Sequence, residues 1–181
     1  MKDKKKIVSS LIQTGVVVAL TVIVFKYIVI PVKIDGVSME NSLHDQDIAL
    51  INAWGVKEEN IHRFDVAVLQ SDLLNEKIIK RVIGLPGETV ECKNDVLYIN
   101  GVEIAQNFLD EKFIEESKIT YNSSYFTEDF KVELADDEYF VMGDNRLRST
   151  DSRALGAFHI DDFIGIDGAV IYPFSSMQWL K

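Results

Sequence analysis

The chain reads as a mainly β, coiled or barrel-like antiparallel domain behind one N-terminal transmembrane helix. Three observations predict it: a single apolar run over residues 7–32, a succession of short β-branched segments separated by turn residues, and an Asn-Gly pair between two alternating stretches. The length of 181 residues allows one domain plus an anchor.

Residues 1–6 hold Lys2, Lys4, Lys5 and Lys6 against Asp3, a basic tail that favours a cytoplasmic N-terminus. The run 7–32 that follows is rich in Val and Ile, and about 20 residues suffice to cross a bilayer core. Its length fits a tilted span in which Lys26 snorkels toward the outer interface. A cleaved secretory signal also begins with lysines and an apolar core. Its core is shorter, however, and a small-x-small cut site follows, where this chain continues Ile30-Pro31-Val32-Lys33. The retained, single-pass anchor is therefore the expectation, with residues 33–181 as an extracytoplasmic domain at the cell membrane.

Strands are expected at 47–52, 65–70, 77–83, 89–93 and 138–142, each with strand-like apolar content over a strand-like length. Val96-Leu97-Tyr98-Ile99-Asn100-Gly101-Val102-Glu103-Ile104 predicts a hairpin closed by the two residues Asn100 and Gly101. Strand 77–83 runs into a turn centred on Pro86 and Gly87. Between 107 and 128 the composition turns acidic and polar. Phe108, Phe113 and Ile114 support one short amphipathic helix there, on an excursion whose expected role is solvated surface. No internal repeat or second domain is visible.

Formal net charge is −10; residues 1–34 hold six lysines and one aspartate, net +5, so the remainder carries −15. An outer domain that acidic argues against nucleic acid as a partner, because binding it requires neutralising phosphates. Cys92 is the only cysteine, which excludes an intrachain disulfide; set in a strand with no histidine nearby in sequence, it reads as packing. His44, His62 and His159 stand apart from one another with no zinc-like spacing. No metal or organic cofactor is implied.

The chemistry rests on Ser38 and Lys80. A hydroxyl is a weak nucleophile until a neighbouring base takes its proton, and an amine is that base only when uncharged. Alternation along strand 77–83 places Ile78, Lys80 and Val82 on one face, and an ammonium among aliphatic neighbours loses hydration, which lowers its pKa. Bringing a lysine from about 10.4 to roughly 8 costs about 3 kcal/mol. On residue type alone, a strand lysine keeps its head in solvent and Ser38 is a turn serine bonding its own backbone.

Three blocks overturn that reading: Asp35-Gly36-Val37-Ser38-Met39; Ile79-Lys80-Arg81-Val82-Ile83-Gly84-Leu85-Pro86-Gly87-Glu88; and Val141-Met142-Gly143-Asp144-Asn145-Arg146-Leu147-Arg148-Ser149-Thr150-Asp151-Ser152-Arg153-Ala154-Leu155-Gly156. Together they resemble the type I signal peptidases, in particular the short Gram-positive bacterial form, in the family's order and over essentially the whole chain. The resemblance implies a membrane-bound serine endopeptidase of signal peptidase fold that cleaves N-terminal signal peptides from exported preproteins, with small residues preferred at the first and third positions before the cut. It implies Ser38 as nucleophile and Lys80 as general base of a Ser/Lys dyad working through an acyl-enzyme. Ser149 matches the family serine that hydrogen-bonds the lysine, and Asp151 and Arg153 match an acidic and basic pair read here as a structural ion pair. Asp144, Asn145 and Arg146 read as shaping the turn.

The Ser38 backbone N–H is the natural first donor to the oxyanion. Gly36 stands where some members carry a hydroxyl, so the second donor stays open, as does contact with the secretion machinery. After Ser38-Met39 the family usually has any residue and then Pro-Thr-Leu, where this chain reads Glu40-Asn41-Ser42-Leu43; without the proline's fixed backbone angle the turn is less constrained. Trp54 suits either the bilayer interface or the core. Two rivals remain at this point: a non-catalytic, membrane-tethered assembly factor, and a dedicated protease for one substrate such as a surface-fibre subunit.

Overall fold

The computed structural model describes residues 2–54 and 56–180, with the side chains of 2–5, 8 and 23–27 outside that description. Helix α1 covers Lys2–Tyr27, and the chain then enters strand β1, Val29–Lys33. The helix thus stops short of residue 32, the expected end of the apolar run. Val29-Ile30-Pro31-Val32 is β-branched and carries a proline, which an edge strand tolerates and a helix interior does not. Pro31 faces Leu50 across β1 and β2, Ile48–Asn52. Among the described residues no helix is long and apolar enough to cross a membrane. The expected position of the Lys26 head lies outside the described residues.

The remainder is mainly antiparallel β. The larger sheet has the order β1-β2-β10-β3-β4-β9, where β3 is Val66–Ser71, β4 Glu76–Gly84, β9 Phe140–Met142 and β10 Phe163–Tyr172; β11, Gln178–Leu180, pairs with β10. A smaller sheet has the order β7-β6-β5-β8, with β5 Thr89–Lys93, β6 Val96–Ile99, β7 Val102–Glu103 and β8 Phe130–Glu133. All five expected strands are present, four of them within one residue at each end and β9 starting two residues late. The hairpin turns on Asn100 and Gly101, whose φ values of 52° and 77° are the left-handed pair that such a turn requires. Strands β1, β8, β10 and β11 were not anticipated.

Side chains of β4 divide among three cores. Ile78 and Val82 join Ala67, Leu69 and Val141; Ile79 flanks a second cluster containing Met39, Leu43, Val66 and Val68; and Ile83 enters a third with Val90, Leu97 and Phe140. Beyond residue 79 the strand is buried on both faces, so a long polar side chain there reaches little solvent. Strand β9 pairs with β4 only from Arg81 onward, so among the described residues Glu76–Lys80 has a strand neighbour, β3, on one edge alone.

The 107–128 excursion is more than solvated surface. It contains α2, Glu111–Thr120, capped by Asp110, whose carboxylate accepts from Phe113 N at 2.9 Å. Lys118 pairs with Asp95 at 2.8 Å, and Phe126, 2 % exposed, meets Phe113 edge-on with ring centroids 6.1 Å apart. Phe108 lies against Phe64, 5.0 Å between centroids, and under the Arg81 guanidinium at 4.3 Å. Phe108 and Phe113 stood out in the sequence; the partners that make them anchors, Phe64, Arg81 and Phe126, did not.

Candidate active site

Ser38 sits in a turn that the core holds from below. Met39 and Leu43 are buried, and Met39 O accepts from Ser42 N at 2.9 Å and Leu43 N at 2.8 Å. Burial of two such side chains stabilises the turn by about 3–6 kcal/mol in all. Two further contacts do the work expected of a proline: Ser42 Oγ accepts from Arg81 at 3.3 Å, and Ser42 O accepts from Gln178 Nε2 at 2.6 Å. The Gly36 N–H is committed to Asp45 Oδ1 at 2.8 Å, a bond that holds the exposed Asp45 carboxyl below its ordinary range. Gly36 therefore lends no backbone donor to an oxyanion.

Lys80 is 4 % exposed, and its Nζ donates to Ser38 Oγ at 2.9 Å and to Ile79 O at 2.9 Å. Burial pushes the ammonium down to about 8, against partial opposition from the charges of Asp151, Asp144 and Glu76. The amine's contacts are thus a hydroxyl and a carbonyl, with no carboxylate touching it.

Ser149 Oγ is buried and makes no hydrogen bond to Lys80, so the bond that the resemblance implied is not made here; its hydroxyl lies toward the Asp151 carboxylate, which it helps to hold down. Its place is set by Gly143: a Cβ on Gly143 would collide with Ser149 Oγ and with the Ser38 carbonyl oxygen. Gly143 is thus the close-packed point between the loop and the nucleophile's backbone. Asn145 N closes the junction by donating to Ser38 O at 3.0 Å.

Asp151 caps the short helix α3, Ser152–Leu155, and binds Arg153 through Nε at 2.8 Å and Nη2 at 2.9 Å. It also accepts from Gly143 N at 3.0 Å. Burial alone would raise the Asp151 carboxyl; the bonds and charge of Arg153, helped by the Gly143 N–H, hold it below the ordinary range instead.

Sequence reasoning missed a second buried pair. Arg81 binds Asp144 through Nε at 2.9 Å and Nη2 at 2.8 Å, and its Nη1 donates to Phe64 O at 2.7 Å. Asp144 is therefore an ion-pair partner rather than only a turn former. Alternation had placed Arg81 on the face opposite Lys80, which was the available signal, but its acceptor lies 63 residues away. Arg146 is also buried, donating to Gly143 O at 3.0 Å, Thr127 Oγ1 at 3.3 Å and Gln106 Oε1 at 2.5 Å; burial pushes it down to about 10.

Ser38 and Lys80 open on a cleft of about 780 Å³ whose walls are β1, the segment 34–39 and residues 76–80 of β4, with Arg148 and Thr150 at the lip. No histidine or cysteine lines it. Cys92 is 2 % exposed and burial pushes its thiol up to about 11, which suits packing rather than nucleophilic work. Trp54 is 65 % exposed and so takes no part in the core.

The family described as signal peptidase, peptidase S26, matches residues 7–172. The chain is 35 % identical over 185 residues to signal peptidase I U of Bacillus subtilis (strain 168), covering 100 % of this chain and 96 % of that one. It is 33 % identical over 186 residues to signal peptidase IB of Staphylococcus aureus (strain COL), covering 97 % and 94 %. The fold is similar to the crystal structure of a signal peptidase I from Enterococcus faecalis V583, with a TM-score of 0.51 at 34 % identity over 59 % of this chain and 96 % of that one.

Proposed function

The chain belongs to the signal peptidase family, peptidase S26, and from that premise we propose that it removes signal peptides from exported preproteins through a Ser38/Lys80 dyad. The observation that carries this is the 2.9 Å approach of a buried Lys80 amine to Ser38 Oγ inside an open cleft. Neutral Lys80 takes the Ser38 proton as Oγ attacks the scissile carbonyl. The ammonium so formed protonates the leaving amine, giving an acyl-enzyme and the freed mature chain. Lys80, neutral again, then draws a proton from water, whose attack on the ester releases the leader and regenerates Ser38. The tetrahedral intermediates need donors, and the Ser38 N–H, which meets no acceptor among the described residues, is the first. The one-sided pairing of Glu76–Lys80 leaves an edge along which an extended peptide gains backbone hydrogen bonds.

Asp151 with Arg153, and Arg81 with Asp144, hold the 143–153 loop and β4 in register rather than touching the peptide. Ser149 is assigned a positioning role through its packing on Gly143 and Ser38. Nothing favours the non-catalytic alternative. Residues 7–27 of α1 are assigned as the membrane anchor: Ile7, Leu11, Ile12, Val16, Val17, Val18, Leu20 and Val22 are all more than half exposed, and apolar surface without a protein partner calls for an apolar surrounding. The basic tail 1–6 then lies on the cytoplasmic side and the β domain outside. Cleavage of a preprotein by the purified full chain in lipid, set beside Ser38→Ala and Lys80→Ala, tests this. Cleavage after a small residue by the unmodified chain only is the expected result.

A further inference from the structure

The chain has five arginines, and four are tied down. Arg63 binds Glu88, Arg81 binds Asp144, Arg153 binds Asp151, and the buried Arg146 donates to Gly143, Thr127 and Gln106. Arg148 is exposed, and among the described residues its guanidinium has neither an ion pair nor a hydrogen bond, in a protein of net charge −10. Its one partner is the ring of Tyr121, with the guanidinium carbon 5.4 Å from the ring centroid. Such stacking holds a cation in place without neutralising it.

Both ends of this contact are fixed. Arg148 N donates to Asn145 O at 2.9 Å, in the loop that also binds the Ser38 carbonyl. Tyr121 closes α2, its N–H donating to Ser117 O at 3.0 Å, and α2 is fastened by Lys118 on Asp95 and by Phe113 on Phe126. The excursion therefore sets an aromatic platform beside the lip of the cleft that holds Ser38 and Lys80.

Resting on the peptidase reading above, we propose that Arg148, braced by Tyr121, is a specificity-determining residue that favours substrates with an acidic side chain within three residues of the scissile bond. An extended peptide turns alternate side chains out of the cleft. With the first and third residues before the cut facing inward, the second faces the lip, as do alternate positions beyond the cut. A carboxylate there meets the one exposed arginine, whose guanidinium has neither a hydrogen bond nor an ion pair among the described residues.

The test is kcat/KM on peptides that differ only by Glu, Gln or Lys at the second position before the cut or at the first three after it. The unmodified chain prefers Glu over Lys at one or more of these positions, by about three- to fivefold at low salt and less at high salt, as an exposed ion pair allows. Arg148→Gln brings the Glu-to-Lys ratio near one, Arg148→Glu inverts it, and Tyr121→Leu lowers it while leaving its sign. Cleavage of the Gln peptides with a flat charge series, or a ratio that Arg148→Glu fails to move, overturns the inference and leaves the peptidase reading in place. Failure of the unmodified chain to cleave any peptide overturns both.

Discussion

Asn145 N donates to the carbonyl oxygen of Ser38 at 3.0 Å, so the backbone of the predicted nucleophile hangs from the 143–153 loop. The same loop carries Gly143, where no Cβ fits. Gly143→Ala must push either Ser149 or the Ser38 peptide aside, and a displacement near 1 Å at reacting atoms costs about 100-fold in rate. Loss of kcat on that scale, with the far-ultraviolet circular dichroism retained, is the expected outcome.

Lys80 should leave a signature in stability as well as in rate. Its folded value is about 8 against an ordinary 10.5. Below pH 8 both folded and unfolded states are protonated and the burial cost is fully present; between pH 8 and 10.5 the unfolded chain binds more protons, so stability rises with pH. Lys80→Met removes the cost and stabilises the protein at pH 7 by up to about 3 kcal/mol. Urea titrations should show that gain shrinking above pH 8, and a gain independent of pH contradicts the assignment.

The buried ion pairs are expected to be costly to break. Arg153→Ala strands Asp151, which is 0 % exposed, and Arg81→Ala strands Asp144, also 0 % exposed. Each should destabilise by about 3–5 kcal/mol, whereas an exposed pair of the same composition is worth less than about 1 kcal/mol. Asp151 also contributes to acid sensitivity. Its carboxyl lies below the ordinary 3.8, so its contribution is present above that pH and is lost as pH falls through the folded value.

Ser149 offers a contrast. Its hydroxyl is buried and makes at most a weak contact, to the Asp151 carboxylate, so Ser149→Ala should change stability by less than about 1 kcal/mol. Thermal unfolding of the variant checks this; a loss of about 2 kcal/mol or more would mean that the hydroxyl makes a full hydrogen bond to the buried carboxylate.

Local pattern carried most of the fold: β-branched runs for β2 to β5 and β9, and Asn100-Gly101 for the hairpin. What escaped was set by distant partners. Strand β10 carries Asp167 at a positive φ of 55° and register shifts against both neighbours, which breaks the alternation a sequence shows. Strand β1 hid inside the apolar run because Val and Ile serve a membrane helix and an edge strand equally. At the site, Ser38 and Lys80 were legible from their motifs, while the Arg81 to Asp144 pair was not, since neither residue's neighbours reveal a partner across the sheet. The bond from Ser149 to Lys80 was inferred by resemblance, and Ile79 O holds the amine in its place.

The account turns on a neutral lysine beside a serine, and the pH dependence of kcat/KM for preprotein cleavage by the full chain in lipid reads that directly. It predicts a rise through a single ionisation near pH 8 to an alkaline plateau, with activity abolished in Ser38→Ala and Lys80→Ala. Activity that is level from pH 6 to 9, or that survives in Lys80→Ala, would contradict it.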